Sequence, residues 1–241
     1  MFEEKIIIGN ATLYRGDCEA MREAGLLKAD ALVSDPPYGI GYVHGGGGNG
    51  VMGGHQNLKP IHGDDQPFDP APWLIPFSGE KSGAVALFGA DHFKTLLPEG
   101  GRFMCWDKSC GQGAATSFVD AEFIWTNRKN ARCIYRNFWM GATRSGEDNS
   151  NNSKRIHPSQ KPVELMSWVI ETCRIGIGKT ILDPYMGSGS TGVAAIRSGR
   201  HFIGCEIDKE YFDIACERIQ KEQDKIDSCL FAPEPEMEMI E

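Results

Sequence analysis

The chain has 241 residues, a formal net charge of -8, and 41% apolar and 24% charged residues, the balance of an ordinary globular protein long enough to bury a full core. No run of 18 apolar residues occurs and Met1-Phe2-Glu3-Glu4-Lys5 lacks the regions of a signal peptide, so no membrane span and a cytoplasmic location are expected. The eight cysteines contain no CxxC pair, so no metal ligands are expected and reduced thiols are the default.

Taken in order, Lys5–Ile8 and Ala11–Tyr14 are short β-prone runs joined at Gly9-Asn10, the pattern of a hairpin. Met21, Ala24 and Leu27 recur at helical spacing over 19–27, with Asp17 placed to cap that helix. Ala31-Leu32-Val33 is a buried strand that stops at Asp35-Pro36-Pro37-Tyr38. Two prolines fix the backbone there and remove two donors, so the corner presents a carboxylate, a free carbonyl and an aromatic face. That set suits a planar group with an exocyclic amine, as in a nucleobase. A proline-rich turn with an incidental Asp and Tyr is the plainer alternative.

Residues 39–54 hold nine glycines in sixteen positions, which makes the segment a lid, an entry loop or a plain linker. No element is assigned over 60–76. Strands are expected at 83–88 and 102–106, with a short helix over 92–97 between them. Ala121–Trp125 and Cys133–Phe138 read as antiparallel strands at one end of the sheet. From Thr126 to Lys161, eight bases face two acids, a local balance of +6, interleaved with Trp125, Tyr135, Phe138 and Trp139. From Cys205 onward, twelve acids face four bases, a balance of -8. The asymmetry permits a nucleic-acid face on an acidic protein, with a solvated basic surface as the alternative.

The last third alternates strand and helix. Val163–Cys173 is an amphipathic helix opened by Pro162; Thr180–Leu182 is a strand; Asp183-Pro184-Tyr185-Met186-Gly187-Ser188-Gly189-Ser190-Thr191-Gly192 opens the next helix. A strand follows, ending on Glu206, then a helix from about Lys209 to Lys225; the asparagine-rich loop 146–153 and the acidic tail 232–241 are expected to lack order. Gly187, Gly189 and Gly192 match the glycine fingerprint of nucleoside cofactors, with Glu206 placed for ribose hydroxyls. Val193-Ala194 replaces the Lys-Ser/Thr pair of a P-loop. A dinucleotide and S-adenosylmethionine remain, and Asp183 beside the glycines favours an ammonium or sulfonium over a pyrophosphate.

Asp35-Pro36-Pro37-Tyr38, HPSQKP at 157–162, DPYMGSGST at 183–191 and IGCEID at 203–208, in that order, resemble the β-group DNA amino-methyltransferases. The resemblance covers about Leu13 to Ile219; Tyr185 stands where family patterns often carry Phe, and Gly192 where a second Thr is common. It implies an α/β Rossmann-like methyltransferase fold with circularly permuted motif order, a mostly parallel sheet with an antiparallel end, in one domain over 1–231. It further implies a DNA-recognition insert within 39–159, a glycine-rich loop at 39–59, and either relaxed specificity or a homodimer. Asp35, Pro36, Pro37 and Tyr38 would be catalytic. Gly187, Ser188, Gly189 and Ser190 would hold the methionine part of S-adenosylmethionine, with Asp183 and Tyr185 beside them and Glu206 on the ribose. Asp17 would lie near the adenine, unless it is only a helix cap; His157 and Lys161 would approach the cofactor's carboxylate, unless His157 is a structural turn residue. The partner implied is DNA, with an adenine flipped from the duplex. Family usage associates Asp at position 35 with adenine and Ser with cytosine. The alternatives are cytosine N4 methylation, a nicotinamide-dependent oxidoreductase, and a DNA-binding regulator without catalysis.

Overall fold

A computed structural model of the chain describes residues 2–41, 62–79, 83–111, 120–140, 143–144 and 160–230. His157, most of the glycine-rich loop, the loop 146–153 and the tail 232–241 lie outside the described residues.

The hairpin is β1 (Phe2–Ile8) and β2 (Ala11–Gly16), paired antiparallel around Gly9-Asn10. Helix α1 (Cys18–Glu23) ends earlier than the apolar spacing predicts, because its C-cap Ala24 and Gly25, with φ +72°, turn the chain before Leu27. Next come β3 (Ala31–Ser34), α2 (Ala71–Leu74) running into a 3₁₀ turn at Ile75–Phe77, and β4 (Ala84–Phe88). The short helix expected over 92–97 is a single 3₁₀ turn, Lys94–Leu96. Then follow β5 (Arg102–Asp107), β6 (Ala121–Thr126), β7 (Ile134–Arg136) and a small ribbon of β8 (Trp139–Met140) and β9 (Thr143–Arg144). The carboxyl-terminal third is α3 (Val163–Thr172), β10 (Thr180–Asp183), α4 (Ser190–Arg197), β11 (His201–Glu206) and α5 (Lys209–Leu230).

Among the described residues, nine strands form one sheet in the order β1-β2-β11-β10-β3-β4-β6-β5-β7. All point one way except β1 and β6, so the mostly parallel sheet expected from the sequence is present, with an antiparallel element toward each edge. One expectation is corrected: β7 pairs parallel with β5, not antiparallel. The two are not a hairpin, since the whole of β6 comes between them in the chain, and only direct hairpin partners are forced to be antiparallel.

Alternation along each parallel strand splits the core in two. Ala31 and Val33 of β3 join Ile181, Phe202 and the inner faces of α3, α4 and α5, while Leu32 joins Leu182, Cys205, Met21 and Trp73 on the opposite face. Leu165, Val169 and Ile170 of α3 and Phe212, Ala215 and Ile219 of α5 are essentially inaccessible. Each large side chain so buried contributes about 1.5–3 kcal/mol of transfer free energy. Helix α4 sits tightly because Gly192 has no side chain: a Cβ there would lie 2.6 Å from Ile219 Cδ1 and 2.8 Å from Phe202 Cε1.

Strand order fixes where a ligand belongs. The chain leaves β10 toward β11 on one side and leaves β3 toward β4 on the other, so the order reverses between the neighbours β10 and β3. A crevice opens at the carboxyl ends of strands at such a switch point. Gly192→Val, which overpacks the α4 contact with Phe202, is expected to destabilise by about 1–3 kcal/mol and to lower the thermal midpoint by roughly 2–10 °C. Thermal denaturation followed by circular dichroism checks this; an unchanged midpoint would show that α4 can retreat at no cost.

Candidate active site

At the switch point the two halves of the sheet are tied by one carboxylate. Asp183, the last residue of β10, accepts from Ser34 Oγ at 2.7 Å, Thr191 Oγ1 at 2.6 Å and the Tyr185 amide at 3.2 Å. It is buried, and burial pushes its carboxyl up to about 6 even though those donors pull the other way. Its oxygens therefore brace β3 against the amino terminus of α4.

Asp35 follows Ser34 directly. Its Oδ1 accepts from the Tyr38 hydroxyl and its Oδ2 from Lys161 Nζ at 2.6 Å. Burial raises its proton affinity and the Lys161 ammonium only partly offsets this. Lys161 is itself buried, lies over the Phe88 ring, and also pairs with Glu122 Oε2 at 3.2 Å. It is thus removed from the basic surface in which the charge count includes it, and its ammonium is directed at Asp35 and Glu122.

The corner that carries Asp35 is held by a residue with no motif signature, Asp64. After two prolines, which donate nothing, the next two amides are those of Tyr38 and Gly39; both go to Asp64 Oδ1, at 2.8 and 2.9 Å. Gly39 takes φ +75°, and a Cβ there would meet the Gln66 carbonyl at 2.5 Å. Tyr38 packs against Gly89, where a Cβ would lie 2.0 Å from its ring, and stacks on His92 with centroids 5.1 Å apart at 14°. Asp64 and His92 were not legible beforehand; the two consecutive prolines are the only hint that an outside acceptor is needed.

The second half of the crevice is the glycine turn. Gly187 and Gly189 adopt positive φ, 51° and 79°, and Gly189 is the left-handed N-cap of α4. Arg218 of α5 holds the turn from behind, donating to the Ser188 carbonyl at 2.6 Å and Ser188 Oγ at 2.8 Å. Ser190 Oγ donates to the Lys161 carbonyl at 2.7 Å, which links the turn to the segment that reaches Asp35. Glu206, at the end of β11, accepts from the Gly187 amide at 3.0 Å and the Asp208 amide at 2.8 Å. Burial outweighs these bonds and pushes its carboxyl up to about 7. Tyr185 turns away from the glycines into an aromatic cluster, edge-on to Phe68 and Trp73. Asp17 caps α1, accepting from the Glu19 amide at 2.9 Å, and stands two residues beyond Arg15, the register partner of Glu206. The structure therefore gathers Asp17, Asp35, Lys161, Asp183, Gly187–Ser190 and Glu206 at one sheet edge. It leaves Asp183 and Tyr185 facing inward.

Comparison with known proteins gives three findings. Residues 111–217, less than half of the chain, match a family model described as DNA methylase, of N6/N4 type. The Type II methyltransferase M2.DpnII of Streptococcus pneumoniae is 47% identical over 68 residues, 28% of this chain and 25% of that protein. The Type II methyltransferase M.ScaI of Streptomyces caespitosus is 40% identical over 78 residues, 32% of this chain and 25% of that protein. The chain thus spans about a quarter of the length of the curated relatives it matches. Among solved structures, the M1.HpyAVI–SAM complex superposes with a TM-score of 0.56 at 24% identity, covering 87% of this chain and 98% of that one. The cytosine-N4-specific PvuII DNA methyltransferase superposes with 0.56 at 14% identity, covering 95% and 96%. The fold is that of these methyltransferases, and the resemblance to DNA amino-methyltransferases read from the motifs is supported by the family model and the relatives. The family match contains 157–162, 183–191 and 203–208 but not Asp35-Pro36-Pro37-Tyr38. No helix among the described residues is long and apolar enough to cross a membrane.

The raised carboxyls make a pH prediction. Asp183 and Glu206 ionise near 3.8 and 4.5 when unfolded but near about 6 and about 7 when folded. The folded chain thus binds more protons over that interval, so the stability these groups contribute is full below about pH 4 and is lost as pH rises through 6 to 7. Asp30, Asp107 and Glu222, whose carboxyls are lowered, act below this window. The ligand-free protein should unfold more easily at about pH 8 than at about pH 5.5. Glu206→Gln should remove roughly 1–3 kcal/mol of that difference in denaturant titrations; an identical slope in the variant would show that Glu206 does not titrate there.

Proposed function

We propose that this protein is an S-adenosylmethionine-dependent DNA methyltransferase that acts on the exocyclic N6 amine of adenine in a base flipped from the duplex. The observation that carries the reading is the pair of acceptors at the carboxyl end of β3, beside the glycine turn. Asp35 has raised proton affinity and Pro36, next to it, has a carbonyl but no amide hydrogen. Two acceptors in tandem match the two hydrogens of an amine and would shift electron density onto its nitrogen.

The donor set fits the cofactor. Gly187 and Gly189 hold a positive φ that a Cβ-bearing residue would strain, and Glu206, bonded to the Gly187 amide, would accept from ribose hydroxyls. The excess of carboxylates at this edge is complementary to a cation. When bound, the cofactor supplies an electrophilic methyl group on a sulfonium. Asp35 and the Pro36 carbonyl would hold the amine through its two hydrogens and leave its lone pair free to accept the methyl group. The proton that the nitrogen loses on methylation would pass to the Asp35 carboxylate, whose proton affinity is raised. Tyr38 would present its ring face to the extruded base, with His92 behind it. Positioning and acceptors aimed at developing positive charge provide the rate gain, and no cysteine is required as a nucleophile.

The recognition surface is assigned to the insert within 39–159 of a single methyltransferase domain over 1–231, with Arg136, beside Asp107 at the carboxyl end of β5, as a phosphate contact and a cytoplasmic setting. A homodimer would supply further contact. His157, from its place beside Gln160 and Lys161, is proposed to meet the cofactor's carboxylate, with Asp17 on the adenine side. Adenine rests on the Asp at position 35. Cytosine N4 is the second reading, favoured by the likeness to the cytosine-N4-specific PvuII enzyme.

Asp35→Ala is expected to lower methyl transfer from labelled cofactor to DNA by at least about a thousandfold, while cofactor binding stays measurable. Nucleoside analysis of the wild-type product distinguishes N6-methyladenine from N4-methylcytosine, and turnover in the variant refutes the role of Asp35. Glu206→Ala should weaken S-adenosylmethionine binding about tenfold to a hundredfold, the worth of hydrogen bonds to a charged acceptor; calorimetry giving an unchanged Kd would remove Glu206 from the ribose site.

A further inference from the structure

Four charged groups form a line that ends at Asp35. Lys161 Nζ stands between Asp35 Oδ2, at 2.6 Å, and Glu122 Oε2, at 3.2 Å, while the other oxygen of Glu122 takes the Lys108 ammonium. The line is built from separate parts of the fold. Lys108 follows β5, Glu122 lies on β6 opposite Trp106, and Lys161 precedes α3. The Lys108 amide donates to the Asp120 carbonyl at 2.8 Å, which fixes it beside Glu122, and its ammonium lies 4.9 Å from the Trp106 ring centre. Two ammonium and two carboxylate groups leave the cluster neutral. None of the motifs contains Glu122 or Lys108.

We propose that Glu122 is a positioning residue for Asp35: it divides the Lys161 ammonium between two carboxylates, so that Asp35 is held in place while keeping negative charge to offer the target amine. The inference rests on the methyl-transfer reading of the site. With Lys161 as a sole partner, a buried carboxylate would be neutralised one to one, and the amine would have to compete with a tight ion pair. With Glu122 present, the ammonium has a second anion to lean on when the amine arrives. Lys108 completes the arrangement by neutralising the far oxygen of Glu122.

The proton affinities agree with unequal sharing. Glu122, touched by two ammonium groups, is held below the usual carboxylate range despite its burial, whereas Asp35, touched by one, lies above it. The charged and titratable groups facing Asp35 are Lys161, Glu122 and Tyr38, with Asp183 beyond; those facing Glu122 are Lys161, Lys108, Asp35 and Tyr38. Asp91 acts on Tyr38 from the turn after β4, where His92 stacks on its ring.

The two outer members should act in opposite directions. Glu122→Gln removes a repelling charge and leaves Lys161 to Asp35 alone, so the Asp35 carboxyl should titrate about half to one pH unit lower, with the maximal transfer rate down about tenfold. Lys108→Gln lets Glu122 draw Lys161 away, so Asp35 should titrate higher by a similar amount. Carbon-detected NMR of the Asp35 carboxyl in the ligand-free protein reads the coupling without any reaction, and the acid limb of the methyl-transfer pH profile reads its consequence. Glu122→Asp should recover part of the rate. A purely structural Glu122 would lower the rate in each variant with no movement of the limb, and an Asp35 titration that stays fixed in both variants overturns the inference. A wild-type chain that transfers no methyl group to DNA overturns the methyl-transfer reading instead.

Discussion

The crevice depends on the buried carboxylate of Asp183. It stands where the strand order reverses, and it takes hydroxyl donors from Ser34 on β3 and Thr191 on α4 as well as the Tyr185 amide. Elsewhere the two halves of the sheet are joined by backbone pairing of Ile181 with Ala31 and Leu182 with Leu32, and by Asp30 with Thr180 at the amino ends of the strands, so Asp183 is the tie at the carboxyl ends. Because Ser34 precedes Asp35 directly, fixing Ser34 to Asp183 fixes the acceptor corner relative to the glycine turn. Lys161 adds a second tie, with its carbonyl on Ser190 and its ammonium on Asp35. Two groups that would handle different ligands are thereby indexed to each other, which is the positional accuracy a transfer between them needs.

What the sequence disclosed follows from what repeats locally. The strands β3, β10 and β11 are apolar runs closed by a polar or acidic residue, and parallel strands buried on both faces cannot be written otherwise. The glycine turn was legible because its φ values demand glycine, and Asp17 because a cap has a local signature. The α2 segment was not legible: Pro70, Pro72 and Pro76 obscure any period, and packing of Trp73 and Phe77 against the sheet holds it. Nor was the direction of β7, three residues long and paired with a strand two elements earlier.

The site divides in the same way. Residues that shape backbone near themselves, such as Pro36, Pro37, Gly187 and Gly189, leave marks in the sequence. Asp64, Glu122 and Lys108 leave none, because each is an ordinary charged residue whose partner lies 14 to 39 positions away. Lys161 shows the hazard of charge counting: a base in a cationic stretch is here buried against two carboxylates. Only the pairing of β5 with β6 and the position of Lys161 just before α3 reveal which charges meet.

The balance of charge at this edge also bears on which cofactor it suits. Asp183 has three donors and Glu206 accepts backbone amides from Gly187, Ile207 and Asp208, yet burial outweighs them in both cases, to about 6 and about 7. Asp35 is raised as well, by burial that the Lys161 ammonium only partly offsets. Hydrogen bonds make these carboxylates tolerable, but they do not compensate the charge. A pyrophosphate would add two negative charges to this set, and each close like-charge pair costs about 3–4 kcal/mol at an effective dielectric of about 20. A sulfonium adds one positive charge and reverses the sign of every such pair. The same glycine turn can hold either kind of nucleoside ligand, and three raised carboxylates suit the cation better than the anion.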